Sequence, residues 1–97
     1  MHVIARSRLR EFWEEHTDSE QPLKAWFAEA KKATWRNPNQ IKALYGSASI
    51  LREQRVVFNI AGDKYRLVVR ISYRAQIAFI RFIGTHEEYD AINAEEV

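Results

Sequence analysis

Between Lys64 and Asp90 the chain gathers the residue types that phosphodiester chemistry requires. Lys64, Arg66 and Arg70 alternate with apolar residues, and Arg81 interrupts the apolar run Ile77–Ile83. The segment Gly84-Thr85-His86-Glu87-Glu88-Tyr89-Asp90 follows at once. In metal-free RNA cleavage a 2′-hydroxyl attacks the adjacent phosphorus. A group must take that proton, cations must meet the charge on the phosphorane, and an acid must protonate the leaving 5′-oxygen. Arginine suits the charge because it is permanently protonated and forks onto phosphate oxygens. Histidine suits the acid, since its unperturbed pKa of about 6.5 lies near working pH. Tyrosine can stack on a base or donate through its hydroxyl.

The same residues have plainer uses. Arg66 and Arg70 also serve as solvated residues that keep one face of a sheet soluble, and a histidine beside a helix start is commonly a surface or capping residue. His16 lies on an apolar stripe and reads as a core-edge histidine; His2 has no companion. His86 and Asp90 are four apart but lack a second histidine, so neither a metal nor a cofactor is expected. The absence of cysteine excludes a disulfide scaffold, a thiolate zinc site and a cysteine nucleophile. Trp13, Trp26, Phe27 and Trp35 follow helical spacing and read as core rather than as RNA stackers.

The elements that must position these groups follow from hydrophobic period. His2–Ala5 reads as a short strand. Leu9, Phe12, Trp13 and His16 fall on one face of a helix from Arg6 to His16. A second helix, capped by Thr17 or Ser19 with Pro22 in its first turn, runs to about Trp35 on the stripe Leu23, Trp26, Phe27, Ala30 and Thr34. Asn37-Pro38-Asn39-Gln40 starts a third, short helix that Gly46 stops. From Ser49 onward the pattern is that of strands: Ile50-Leu51, Val56–Ile60, Tyr65–Tyr73 and Ile77–Ile83, the last three forming an antiparallel meander. Tyr65, Leu67, Val69, Ile71 and Tyr73 share one apolar face for the helices, which leaves Lys64, Arg66, Val68, Arg70 and Ser72 on the face toward water. Gly84 ends the last strand, and Thr85 with Glu88 makes a capping box for a final short helix. The fold class is α+β in two layers, and residues 1–97 form one domain.

Composition agrees with a folded chain: 46% of the 97 residues are apolar and 29% charged. The net charge of +2 conceals a division, because all 15 Lys/Arg precede residue 87 while 5 of the 13 acids lie in residues 87–97. A basic body suits a polyanion such as RNA. No segment is long and apolar enough for a membrane span or a secretory leader, so a cytoplasmic location with no membrane partner is expected.

In Val56–Ile60, Tyr65–Val69 and above all Gly84-Thr85-His86-Glu87-Glu88-Tyr89-Asp90, the chain resembles the HigB-type toxins of bacterial toxin-antitoxin pairs, in the RelE superfamily. The opening Met1–Ile4, the stretch Pro22–Trp26 and the segment Ser47–Leu51 occur in the same order. The resemblance implies a RelE-like fold and a metal-independent mRNA interferase that cuts messenger RNA on the translating ribosome and arrests growth. It also implies a helix-turn-helix, HigA-like antitoxin as neutralising partner, covering the basic sheet face or inserting beside it. The family's sheet arginine falls on Arg66, its GTH histidine on His86 and the following aromatic on Tyr89, which makes these three the catalytic candidates. By position, Lys64, Arg70 and Arg81 are taken as RNA-binding cations, with Lys64 also the candidate for the general base. The alternative is a catalytically inactive RNA- or protein-binding module on the same scaffold.

Overall fold

A computed structural model describes all of residues 1–97. The elements in chain order are β1 (His2–Ile4), α1 (Arg6–Glu15), a single 3-10 turn (Thr17–Ser19), α2 (Glu20–Lys32), α3 (Pro38–Leu44), β2 (Ser49–Ile50), β3 (Arg55–Ile60), β4 (Tyr65–Ser72), β5 (Ile77–Thr85) and α4 (His86–Asp90). The sheet order is β1-β5-β4-β3-β2. β2 to β5 pair antiparallel, and β1 lies parallel to the outer side of β5.

Period-2 alternation along β4 sets the two layers. Leu67, Val69 and Ile71 are fully buried on one face, where α1 and α2 supply Leu9, Leu23, Trp26 and Ala30 to the same core. Each such large aliphatic side chain contributes roughly 1.5–3 kcal/mol by leaving water. Phe58, from β3, is ringed by Trp26, Trp35 and Tyr45 at centroid distances of 5.4, 6.3 and 5.0 Å. His16 stacks on Phe12 at 4.3 Å, at the edge of the core as its place on the stripe indicated.

Several local expectations are corrected. α2 stops at Lys32 because Ala33 turns to an extended conformation, so Thr34 is exposed and Trp35 reaches the core from a non-helical segment. The hydroxyl of Ser19 donates to the His16 carbonyl at 2.7 Å and caps nothing. α3 ends at Leu44, before Gly46, and its start is as read: Asn37 accepts from the Gln40 amide at 3.1 Å with Pro38 at the first helical position. β5 runs through Gly84 to Thr85.

The largest correction concerns the other face of the sheet. Residues 91–97 fold back across it, and Val57, Val68 and Ala94 form a second small core with Leu51, Phe82, Tyr89, Ile92 and Val97 packed around it. Val68 is therefore as buried as Leu67. The register skips one residue of β5 between the pairs Val69↔Ile80 and Val68↔Phe82, which makes Arg81 the extra residue of a β-bulge.

Candidate active site

The site is built on the register pair Arg66↔Gly84, next to the ends of β4 and β5. A Cβ on Gly84 would come within 2.6 Å of the Phe82 ring and 3.1 Å of Glu88 Oε1. Only glycine lets that ring lie across the strand beside Arg66. One residue on, the chain turns into α4 through a complete capping box. Thr85 Oγ1 accepts from the Glu88 amide at 3.2 Å, and Glu88 Oε1 accepts from the Thr85 amide at 2.8 Å. Glu87 and Glu88 in the first turn also favour the positive end of the helix dipole. This device gives a five-residue helix a defined start.

His86 occupies the first position of α4 and Tyr89 follows one turn later, a spacing that makes them neighbours on the helix surface. The Arg66 guanidinium carbon lies 5.8 Å from the centre of the Tyr89 ring. Arg66 Nη1 donates to the Asp63 carbonyl at 2.8 Å, which ties the side chain to the β3–β4 hairpin and leaves its remaining donors without a partner in the chain. Tyr89 is half-buried, its ring tilted against Phe82 at 6.4 Å. His86 is exposed, and its Nδ1 meets Asp90 Oδ2 at 3.2 Å. Nδ1 is thus engaged by Asp90, and Nε2 has no hydrogen-bond partner within the chain. Arg66, His86 and Tyr89 thus share one rim of the sheet.

The three further cations read from the sequence do not join them. Lys64 turns toward the helical layer and pairs with Asp18, whose other oxygen accepts from the Tyr65 hydroxyl at 2.5 Å. The hydrogen bond it donates to Asp18 raises the Lys64 pKa, so the ammonium holds its proton more tightly and is a poor general base. The same partners, Lys64 first and then Tyr65, lower the Asp18 pKa. Arg70 is four residues along β4 from Arg66, about 13 Å away at the usual strand rise, and lies 6.0 Å over the Phe79 ring. Arg81 is carried on the bulge, where its Nε donates to Val97 O at 3.2 Å. No group of three His, Asp or Glu side chains converges to hold a metal ion.

Three residues of the site escaped the sequence reading. Gly84 carried a signal, a glycine between two apolar strand residues and a cap, but it was read only as a terminator. Phe82 looked like ordinary strand filling, because the bulge that turns it onto the outer face leaves no local trace. Arg55 is nearly buried, with Nε and Nη2 donating to Val97 O at 2.9 and 2.6 Å and Nη1 to the Glu53 carbonyl at 3.1 Å. With Arg81 it clasps the segment that backs Tyr89, and nothing in its sequence neighbourhood announces a partner 42 residues away.

Comparison with known proteins agrees with this architecture. Residues 19–92 match the family model described as HigB toxin, RelE-like toxic component of a toxin-antitoxin system. The chain is 28% identical over 96 residues to the mRNA interferase toxin HigB of Escherichia coli strain K12, an alignment that covers 97% of this chain and 92% of that protein. The mRNA interferases HigB of Escherichia coli O157:H7 and Shigella flexneri match to the same extent, 28% over 96 residues.

Proposed function

This chain belongs to the HigB toxin family, the RelE-like toxic components of toxin-antitoxin systems, and we propose that within it the chain is a metal-independent endoribonuclease that cuts messenger RNA. The observation that carries the reading is the Arg66 guanidinium set against Tyr89, one helical turn from His86, beside the strand end where Gly84 admits the Phe82 ring. The names of the relatives in Escherichia coli and Shigella flexneri support it.

The steps follow from the side chains. A base of the messenger stacks on Tyr89, which brings the adjoining phosphate to Arg66. The 2′-hydroxyl gives its proton to solvent water as its oxygen attacks phosphorus, and Arg66 stabilises the charge that grows on the non-bridging oxygens. His86, its Nδ1 engaged by Asp90, gives a proton from Nε2 to the 5′-oxygen as the P–O5′ bond breaks. The upstream fragment keeps a 2′,3′-cyclic phosphate and the downstream one a 5′-hydroxyl. The target is messenger on the translating ribosome in the cytoplasm, and a helix-turn-helix antitoxin is the neutralising partner. No helix of the chain is long and apolar enough to cross a membrane.

The test is induction of the parental chain and of His86→Ala in cells without antitoxin, followed by mapping of messenger 5′ ends. New ends and growth arrest with the parental chain alone are expected. The same ends from a folded His86→Ala chain rule out this mechanism; none from either chain makes it an inactive binding module.

A further inference from the structure

The opposite end of the sheet carries a second cationic surface. β5 separates the two, so Gln76 and His86 lie roughly 30 Å apart at the usual strand rise. Two grooves adjoin there, of about 550 and 570 Å³, and share Thr34 and Arg36. One runs between the end of α2 and α3 past Lys32; the other passes Tyr73 and Arg74 of the β4–β5 hairpin. Gln76 fastens the hairpin to the segment after α2, its Nε2 donating to the Trp35 carbonyl at 2.8 Å and to the Tyr73 carbonyl at 2.7 Å. Arg36 and Arg74 are therefore brought together by a fixed connection.

Lys32, Arg36 and Arg74 are exposed and none of them is in an ion pair; the molecule's ion pairs all lie elsewhere. The one acid in the groove, Glu29, is taken up by the Tyr45 hydroxyl at 2.7 Å. Nor is the positive charge needed to offset the dipole of α2. The amino group of Met1 already donates to the carbonyls of Ala30, Lys31 and Ala33 at 3.0, 3.1 and 2.6 Å. Thr34 and Tyr73 add hydroxyls beside these cations, and burial raises the Tyr73 pKa so that its hydroxyl remains a donor.

We propose that this paired groove is a docking surface for the phosphate backbone of folded RNA, remote from the site of cleavage. Three exposed cations without ion-pair partners, set beside hydroxyls and an aromatic ring, fit a chain of phosphates. The inference rests on the reading that this chain acts on RNA. It assigns the affinity for the RNA to one end of the sheet and the chemistry to the other.

Binding of a fluorescein-labelled RNA stem-loop, followed by anisotropy across a salt series, tests it with the full His86→Ala chain and the same chain carrying Lys32→Ala, Arg36→Ala and Arg74→Ala. Loss of three phosphate contacts should flatten the dependence of log Kd on log salt by about 2 to 3 and weaken binding by about tenfold or more at low salt. Lys32→Arg, Arg36→Lys and Arg74→Lys together should retain the slope. With His86 restored, the triple alanine chain should cleave with raised KM and unchanged kcat. An unchanged slope and affinity in the folded triple alanine chain would overturn the proposal, as would loss of antitoxin binding with RNA binding intact. Parental cleavage by His86→Ala would sink the catalytic reading alone, because the salt slope decides the groove independently.

Discussion

The two faces of β4 bury neighbouring residues to the same degree by different means. Leu67 and Val68 are both fully buried. Leu67 lies under two amphipathic helices in a core of 17 residues, and Val68 lies under a short C-terminal segment in a core of three. The first face is continuous and has no polar member near its centre. The second is broken on each side of Val68 by an arginine, Arg66 toward the rim and Arg70 toward the other end of the strand. Full coverage gives stability and leaves no room for a substrate. Partial coverage holds Tyr89 and Phe82 in place and still leaves Arg66 partly exposed. A small domain can thus use one strand as both its keel and its working edge.

That contrast can be broken by mutation. Leu67→Ala should cost about 2–5 kcal/mol in chemical denaturation, because rigid elements on all sides cannot close the gap. Val68→Ala should cost less, about 1–3 kcal/mol, since the covering segment can settle into the space. It should also change cleavage by loosening the support of Tyr89, where Leu67→Ala should leave the activity per folded molecule nearly intact. Equal losses in both assays would erase the distinction. Thr85→Ala removes one half of the capping box and should cost about 1 kcal/mol, with a larger proportional effect on cleavage than on the melting temperature.

The smallest effect concerns the helix-covered side, where Asp18 joins Lys64 and Tyr65. Its carboxyl is held below the usual 3.8 by those hydrogen bonds, so its contribution is present above that value and is lost as pH falls through the depressed one. Lys64 is raised above 10.5 by the same pair, and that contribution disappears only as pH rises beyond it. The pair therefore supports the fold between about pH 4 and pH 10. Denaturation of Asp18→Asn against pH should show a shallower acid limb than the parental chain and the same activity at neutral pH. An identical acid limb would show that this exposed contact is idle.

How much of this was legible depends on whether the governing interaction is local. The α4 cap was readable because Thr85 and Glu88 satisfy each other within one turn. The helical face of β4 was readable because strict alternation leaves one choice of side. Lys64 was misplaced because it precedes the first strand residue, where the turn and not the pleat aims the side chain, and because Asp18 is distant in sequence. The cover over Val68 was missed for a similar reason: residues 87–97 stand out in sequence for their charge, and the partners that draw them back, Arg55 and Arg81 at Val97 and Val57 and Val68 against Ala94, are distant in sequence. Of the candidate site, His86, Arg66 and Tyr89 came from residue type and resemblance, whereas Phe82 and Gly84 required the bulge and the ring contact to be seen.

The central claim is that Arg66 meets the phosphorane charge beside Tyr89. Single-turnover cleavage of messenger by purified Arg66→Ala, with circular dichroism and denaturation midpoint matching the parental chain, tests it most directly. The account predicts a rate lower by about 10²–10³ at saturating RNA. A parental rate from that folded variant would contradict it.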